Sequence, residues 1–315
     1  MSLSVVIPAK NEAPALVGVL AGIKDAYPEA EIIVVNDGST DNTSKICADA
    51  EVVEVVHPYS KGNGAAIKSG ARRATGDTIV FMDGDGQHKP EDIRRLLAKM
   101  DEGYDMVVGA RGSKSQASLG RLAANSLYNT LASWMVGHQV QDLTSGFRAV
   151  RAAYFKQFLH MLPNGFSYPT TITMSFFRAG YSVAYIPIEA PKRIGKSHIN
   201  LARDGVRFLL IIFKIGTLYS PLKLFAPISL LFFMVGLSYY FYTFFSFGRF
   251  TNMSALLFST SVIIFLMGLV SEQITALAFA SRGGPRATDV LDSGHQLDSS
   301  EKTKVNSCNL KNDNL

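Results

Sequence analysis

Two long apolar segments in the C-terminal part constrain this chain more than any other feature of its sequence. Residues 224–245 contain no charged residue, and residues 254–280 contain a single acid, Glu272. Each segment has roughly the 20 residues that a helix needs to cross a bilayer core. A core helix of a soluble protein has no need to be apolar on every face over that length. The sequence therefore predicts two membrane spans, joined into a hairpin by the short linker SFGRFTNM.

The basic residues around these segments predict their orientation. The flanking lysines and arginines are Arg203, Arg207, Lys214, Lys223, Arg282 and Arg286, whereas the linker holds only Arg249. Because cytoplasmic loops carry an excess of positive residues, we expect both termini and the domain before the first span to be cytoplasmic. Residues 199–223 mix basic and apolar side chains and predict a juxtamembrane amphipathic helix, with an ordinary packing helix as the alternative. Residues 281–315 are polar and predict a disordered tail.

Residues 1–198 have the pattern of a soluble α/β domain. Short β-rich runs alternate with helical patterns; the predicted strands are residues 3–7, 31–35, 52–56, 78–82, 106–109 and 183–189. This alternation is typical of a mostly parallel sheet covered by helices. The formal net charge of +5 is mild, so we expect no nucleic-acid partner.

Polar clusters follow four successive predicted strands. They are residues 9–12, 36–41, 57–64 and 83–88. Ligands on such sheets bind at the carboxyl ends of the strands. Four clusters in these positions therefore predict one ligand site rather than four separate turns.

The cluster FMDGDGQHKP places two carboxylates, Asp83 and Asp85, directly after an apolar run. Three interpretations compete: a metal site for a phosphorylated ligand, a calcium loop, or an ordinary polar turn. A calcium loop needs glycine and glutamate at its sixth and twelfth positions, where this chain has His88 and Arg94. The calcium interpretation therefore fails.

Mg²⁺ or Mn²⁺ suits the same cluster better. These ions prefer oxygen ligands and are often held by one or two carboxylates, which leaves positions for phosphate oxygens. Gln87 adds a neutral oxygen, and a turn at Gly84 would let the two carboxylates share the ion. Two aspartates separated by one residue are common by chance. The choice between a metal site and an ordinary polar turn therefore depends on the surrounding sequence.

Six segments in a fixed order carry a family resemblance: VVIPAKNEA, VVNDGSTDNT, KGNGAAIKSG, FMDGDGQHKP, VVGAR and DLTSGFRAVR. Together they resemble the GT-A glycosyltransferases of family 2, in particular the polyprenyl-phosphate branch that is similar to dolichol-phosphate mannose synthase. The resemblance covers about residues 3–200, and it implies a Rossmann-like GT-A domain followed by the hairpin. It also implies a membrane-bound, metal-dependent, inverting enzyme that moves a sugar from a nucleotide-diphosphate donor to undecaprenyl or dolichyl phosphate on the cytoplasmic face.

The resemblance further implies where the donor binds. Glu12 would accept hydrogen bonds from ribose hydroxyls, although it could instead only favour a helix N-terminus, and Asp37 would bind the nucleobase. Asn36 replaces an acidic residue that is usual in the family, so it can form hydrogen bonds without charge. The implied donor-binding residues are Pro8, Ala9, Asn11, Glu12, Asn36, Asp37, Lys61, Gly62 and Asp83.

Metal, catalytic and acceptor residues are implied in the same way. Asp83, Asp85 and Gln87 would hold Mg²⁺ or Mn²⁺ on the donor diphosphate. Arg111 and Arg148 would meet phosphates, with a surface charge pair as the alternative for Arg148, and Asp142 would lie near the reacting sugar as a base or as an orienting group. The loop that closes over donor and lipid phosphate would contain Arg193, Lys196 and Ser197.

Two other functions stay open from the sequence. One is a processive polysaccharide synthase, whose QxxRW motif is not found around Trp134, the only tryptophan. The other is a non-enzymatic membrane scaffold with a decayed nucleotide site, which the intact Asp83 and Asp85 disfavour. The expected partners are a nucleotide sugar, a polyprenyl phosphate and the membrane, and the chain could form a homo-oligomer.

Overall fold

The computed structural model describes residues 2–111, 119–165, 167–189 and 219–280, together with residues 213, 216 and 217. The chain divides into two compact units, Met1–Leu224 and Phe225–Leu315. The expected tail, most of the expected amphipathic helix and the loop with Arg193, Lys196 and Ser197 lie outside the described residues.

The first unit is built from alternating strands and helices. Its described strands are β1 (Leu3–Ala9), β2 (Glu31–Asn36), β3 (Val53–Val56), β4 (Thr78–Phe81), β5 (Met106–Arg111), β6 (Arg148–Arg151) and β7 (Val183–Ile188). Its described helices are α1 (Ala13–Ala26), α2 (Thr43–Asp49), α3 (Asn63–Arg73), α4 (Pro90–Asp101), α5 (Leu119–Val136), α6 (Ala152–Gln157) and α7 (Tyr168–Arg178). All six predicted strands are present.

The strands form one sheet in the order β3-β2-β1-β4-β6-β5-β7. Neighbouring strands are parallel except at β6, which is antiparallel to both β4 and β5. The expectation of a mostly parallel α/β sheet is confirmed. Because β6 runs backwards, the segment that enters it, residues 142–147, lies at the carboxyl ends of β4 and β5.

Burial of apolar side chains holds the helices against this sheet. Helix α1 places Leu16, Leu20 and Ile23 in the core at the spacing of one helical face. Central strands such as β4 are buried along their whole length, as expected for a sheet covered on both faces. The polar residues that follow the strands are therefore presented on a rigid support.

The described part of the second unit is a hairpin of two apolar helices. They are α8 (Pro221–Phe247), whose first turn belongs to the first unit, and α9 (Asn252–Ala280). By length and composition, Pro221–Phe247 and Asn252–Leu277 can each cross a membrane, with only 11% and 17% of the most apolar window buried. Ser229 lies against Ser261, and Phe233 packs on Phe258, so the two helices run antiparallel. The predicted two-helix hairpin is confirmed. Along the chain, each helix extends slightly beyond its predicted segment into the linker between them.

Candidate active site

The carboxyl ends of β1, β2, β4 and β5 lie at one edge of the sheet, and the predicted polar clusters meet there. Asp37 directly follows β2, Asp83 lies just after β4, and Arg111 ends β5. The parallel pairing of β1 with both β2 and β4 brings the ends of these three strands side by side, and β6 lies between β4 and β5. The sequence expectation of a single polar edge therefore matches the arrangement of the strands.

Asp37 lies at the centre of the first polar network. Its Oδ1 accepts hydrogen bonds from His57 Nδ1 at 2.7 Å and from the Lys61 backbone N–H at 2.8 Å. Its Oδ2 accepts from Ser60 Oγ at 2.8 Å and from the Gly62 N–H at 2.9 Å. Burial tends to raise the pKa of this carboxyl, but the four donors outweigh burial and lower the pKa to about 2. Asp37 is therefore a carboxylate anion that four donors of the same chain stabilise.

A second network joins the segments after β1 and β2. Asn11, at φ +54°, accepts a hydrogen bond at Oδ1 from the Thr40 N–H at 2.8 Å. Asp41 accepts from the N–H groups of Ala13 and Thr43, the first residues of α1 and α2, each at 3.1 Å. These contacts fix the backbone around Pro8, Ala9 and Glu12, where donor binding is predicted.

Asn36 is buried and serves a different part of the fold. Its Nδ2 donates to Ser44 Oγ at 3.0 Å and to Glu54 Oε1 at 2.9 Å, and its Oδ1 accepts from the Ser39 N–H at 2.8 Å. These partners lie on α2, on β3 and in the segment that follows β2. Nucleobase binding by Asn36 stays a prediction, and in this conformation its side chain ties β2 to β3 and α2.

Gly62 opens α3 in a conformation that suits glycine, with φ +101°. A Cβ at this position would lie 2.5 Å from the carbonyl oxygen of Asn164. Close packing of two backbone segments, together with the positive φ, therefore explains the glycine. The neighbouring Lys61 side chain is exposed at the same edge.

The acidic cluster after β4 is partly accessible. The Asp83 side chain is 38% exposed and its Oδ2 lies 3.7 Å from His88 Nε2. Asp85 accepts a hydrogen bond at Oδ1 from the Gln87 N–H at 3.1 Å. The left-handed turn falls at Gly86, with φ +73°, rather than at Gly84 as the spacing had suggested.

The donor set of this cluster fits a hard divalent cation. Within the described ranges no group of three or more His, Cys, Asp or Glu side chains could hold a metal by itself. Mg²⁺ is commonly bound by only one or two carboxylates, with waters and substrate phosphates completing the octahedron. Two accessible carboxylates and an amide, Asp83, Asp85 and Gln87, match that partial set.

Arg111 and Asp142 form a two-pronged ion pair at the neighbouring strand end. Arg111 Nε donates to Asp142 Oδ2 at 2.9 Å and Nη2 donates to Oδ1 at 3.1 Å. The Arg111 side chain is 34% exposed, whereas that of Asp142 is 7% exposed. The guanidinium can therefore meet a ligand while the carboxylate lies behind it.

Asp142 also organises the loop that leads into β6. It accepts from the N–H groups of Thr144 and Ser145 at 3.0 and 3.1 Å and from Thr144 Oγ1 at 3.0 Å. Burial tends to raise the pKa of Asp142, but Arg111 and these donors outweigh burial and hold the pKa below its ordinary value. A carboxylate so thoroughly hydrogen-bonded is a weak proton acceptor.

Arg148 is fully buried, with 0% exposure, so the alternative of a surface charge pair is wrong. Its guanidinium donates to the carbonyl oxygens of Ser145 and Pro169 and to Thr173 Oγ1. It therefore ties the loop before β6 to α7. Contact between Arg148 and a ligand phosphate stays a prediction and would require the surrounding chain to move.

Two groups of residues at this edge were given no individual role from the sequence, although His57 and Ser60 lie in the predicted polar cluster of residues 57–64. Thr144 and Ser145 complete the Asp142 network, and His57 and Ser60 complete the Asp37 network. A threonine or serine two or three residues after an aspartate is a signal for a local side-chain turn, and it could have identified the first group. The second group depends on contacts between separate strand ends.

Comparisons with known proteins agree with this arrangement. The model for the family described as Glycosyl transferase family 2 matches residues 4–159, and the GtrB C-terminal hairpin model matches residues 220–277. Polyprenol monophosphomannose synthase of Mycolicibacterium smegmatis is 32% identical over 204 residues, which cover 60% of this chain and 77% of that relative. Undecaprenyl-phosphate 4-deoxy-4-formamido-L-arabinose transferase of Proteus mirabilis is 35% identical over 159 residues, which cover 47% of this chain and 48% of that relative.

Solved structures show a similar fold. Glucosyl-3-phosphoglycerate synthase from Mycobacterium tuberculosis, in complex with Mn²⁺, UDP and glucosyl-3-phosphoglycerate, has a TM-score of 0.55 and 21% identity, covering 68% of this chain and 78% of that one. This likeness supports the GT-A, Rossmann-like fold of the sheet domain. The chain belongs to glycosyl transferase family 2 and is a glycosyltransferase that carries a GtrB-like C-terminal hairpin.

Proposed function

We propose that this chain is a membrane-bound, inverting glycosyltransferase that moves a sugar from a nucleoside-diphosphate donor to a polyprenyl phosphate. The observation that carries the proposal is the combination of an apolar hairpin with a polar edge, where Asp83 and Asp85 follow β4 and a partly exposed Arg111 ends β5. The two relatives, a polyprenol monophosphomannose synthase and an undecaprenyl-phosphate 4-deoxy-4-formamido-L-arabinose transferase, support the same acceptor class.

On the donor side, Asp83, Asp85 and Gln87 would hold Mg²⁺ or Mn²⁺ against the diphosphate. Such an ion, when bound, neutralises the charge that develops on the leaving nucleoside diphosphate. The segments around Pro8, Glu12 and Lys61 would bind the nucleoside. The protein's task on this side is to hold the anomeric carbon in place while the bond to the diphosphate breaks.

On the acceptor side, the chemistry needs no strong base. A phosphate monoester has its second pKa near 6, so it is mostly a dianion at neutral pH and is already a nucleophile. Arg111 would bind this phosphate, with Asp142 orienting the guanidinium from behind. The phosphate oxygen forms its bond to the anomeric carbon as the diphosphate leaves, and a single displacement of this kind inverts that carbon.

The hairpin gives this reaction its location. A polyprenyl phosphate keeps its chain in the bilayer and its phosphate at the surface. The lysines and arginines that flank the hairpin support an orientation with the sheet domain and both termini in the cytoplasm. Arg193, Lys196 and Ser197 would close over the phosphates.

Label transfer to lipid tests the proposal. Membranes that contain the full chain would be incubated with polyprenyl phosphate, Mg²⁺ or Mn²⁺, and a panel of radiolabelled nucleotide sugars. We expect label in the lipid phase with at least one donor, and its loss on addition of EDTA and in Asp85→Ala. Asp101→Ala, which removes an exposed carboxylate at the end of α4, is the matched control and should transfer normally. A folded protein that transfers nothing to lipid from any donor would contradict the proposal, and label in a polymer would favour a polysaccharide synthase.

A further inference from the structure

Asp37 is held in place by hydrogen bonds from one neighbouring segment. Each of its two oxygens already accepts two hydrogen bonds, all from residues 57–62, a segment that we call the 57–62 loop. A carboxylate offers about four lone-pair directions in total. The residue that the family resemblance assigns to the nucleobase is thus held in position by the loop beside it.

His57 is the side chain that links this carboxylate to the rest of the domain. The ring is 4% exposed, with Nδ1 at 2.7 Å from Asp37 Oδ1 and Nε2 at 2.9 Å from Ser69 Oγ on α3. Since a carboxylate only accepts, Nδ1 carries the proton, and in the neutral ring Nε2 accepts from the serine hydroxyl. Both ring nitrogens are therefore satisfied, and the imidazole is fixed at two ends.

The 57–62 loop has little freedom to adopt another position. Gly38 and Gly62 both have positive φ, and a Cβ on either would meet the backbone of a neighbouring segment below 3.0 Å. Ser60 Oγ also receives a hydrogen bond from Lys10 Nζ at 3.0 Å, which joins the loop to the segment after β1. A shift of Asp37 would therefore displace the backbone on both sides of the predicted nucleoside position.

We propose that His57 is a positioning residue of the donor-nucleotide site. It holds the Asp37 carboxylate, and through that carboxylate it sets the backbone of the 57–62 loop against which the nucleoside binds. This inference rests on the proposed donor site. It gives the Asp37–His57 pair a positioning role in addition to the nucleobase contact predicted for Asp37.

The test measures the affinity of the folded, detergent-solubilised full chain for UDP, GDP, CDP and dTDP in the presence of MnCl₂. His57→Phe keeps a ring of similar size but removes the donor to Asp37. We expect it to weaken binding of the preferred nucleotide about tenfold, because a buried carboxylate loses a charge-assisted hydrogen bond. Turnover should show a raised KM for the donor with a kcat within about twofold to threefold of the wild type.

Three variants separate positioning from simple loss of stability. His57→Asn places an amide donor near the position of Nδ1 and should recover most of the affinity. Ser69→Ala removes only the far hydrogen bond and should bind within about threefold of the wild type. Ile23→Ala leaves a cavity in the core at the opposite end of α1, so it should lower the melting temperature without changing the nucleotide Kd.

The possible outcomes distinguish an error in the role proposed for His57 from an error in the proposed donor site. If the wild type binds a nucleotide and His57→Phe binds it equally well, the role of His57 is wrong while the donor site stands. The role is also wrong if His57→Asn is as weak as His57→Phe. If the folded wild type binds none of the four nucleotides, both the donor site and this inference are wrong.

Discussion

The two units of this chain bury opposite kinds of residues. In the sheet domain, strands such as β4 are apolar and inaccessible, and polar side chains gather where the strands end. In the hairpin, large apolar residues such as Leu231 and Phe245 are exposed, whereas Ser229, Ser261 and Thr243 are buried. A water-soluble fold hides its apolar surface, but a pair of helices in lipid has no such need and associates through small and polar residues. The difference indicates that the two units are adapted to different solvents.

The two units should also respond to different kinds of substitution. The sheet domain depends on polar networks such as the one around Asp37, whose two carboxylate oxygens each accept two hydrogen bonds, so the removal of one group leaves another unsatisfied. The hairpin depends on an apolar exterior that tolerates exchange among apolar residues but not the introduction of charge. Substitutions can be chosen that should affect one unit and spare the other.

The largest effect is expected at the ion pair of the polar edge. Arg111→Met should lower the rate of lipid glycosylation at least about 100-fold, because a donor to a charged phosphate is lost. If Asp142 acts only by orienting Arg111, Asp142→Asn should cost much less in the Arg111→Met background than in the wild type. Transfer rates of the two single variants and the double variant measure this coupling. Effects that simply multiply would mean that Asp142 has an independent role, for example as a base.

A backbone contact in the sheet domain should give the next largest effect. Gly64→Ala would place a Cβ against the carbonyl oxygens of Pro163 and Gly165, which cannot move aside as side chains do. We expect a loss of about 3 kcal/mol in the free energy of unfolding of the sheet domain. Gly18→Ala, in α1, would meet no described atom within 4 Å and should stabilise α1 by about 0.5–1 kcal/mol. Thermal melting of the two variants should thus shift in opposite directions, and equal melting would show that the 163–165 segment yields.

Two valines of similar exposure test the difference in solvent directly. Val17 in α1 is 55% exposed, and Val235 near the middle of α8 is 49% exposed. Val235→Lys should oppose membrane insertion by about 2.5–3.5 kcal/mol, whereas Val17→Lys should change little because that site already faces water. The fraction of chain that stays with membranes after alkaline carbonate extraction measures the difference. Equal retention of the two variants would contradict a lipid environment for α8.

The smallest effect is expected inside the hairpin. Ser229 and Ser261 each donate a hydroxyl hydrogen bond to the other's backbone carbonyl at 2.9 Å. Replacing both with alanine should weaken the contact between α8 and α9 by about 0.6–2 kcal/mol. Cysteine cross-linking between the two helices in bicelles can follow their association. Ser238→Ala, on an exposed part of α8, is the control and should leave cross-linking unchanged.

The sequence predicted the order of the elements better than their contacts. Periodicity was sufficient for the six strands, which have a repeating local pattern. Composition was sufficient for the two apolar helices, because each is apolar over the length that crosses a bilayer. Strand β6 was not predicted, since it has only four residues, begins and ends with arginine, and buries the first of them. Its reversed direction brings Asp142 to the polar edge, and no local pattern shows that reversal.

The contacts at the site depended on strand order. The partners Arg111 and Asp142 are 31 positions apart, and Asp37 and His57 are 20 apart. Their types indicated an anion-binding site, but their pairing follows from which strand ends are neighbours. The burial of Arg148 is a similar case, because its partners are provided by α7 and by the loop before β6.

The central claim is that the polar edge joins a nucleotide-linked sugar to a lipid phosphate with inversion. The most direct measurement is NMR of the lipid product that the purified full chain forms from its donor and a short polyprenyl phosphate. We expect one phosphodiester between lipid and sugar, with the anomeric configuration opposite to that of the donor. A product with retained configuration, or one in which the sugar is attached to anything other than the lipid phosphate, would contradict it.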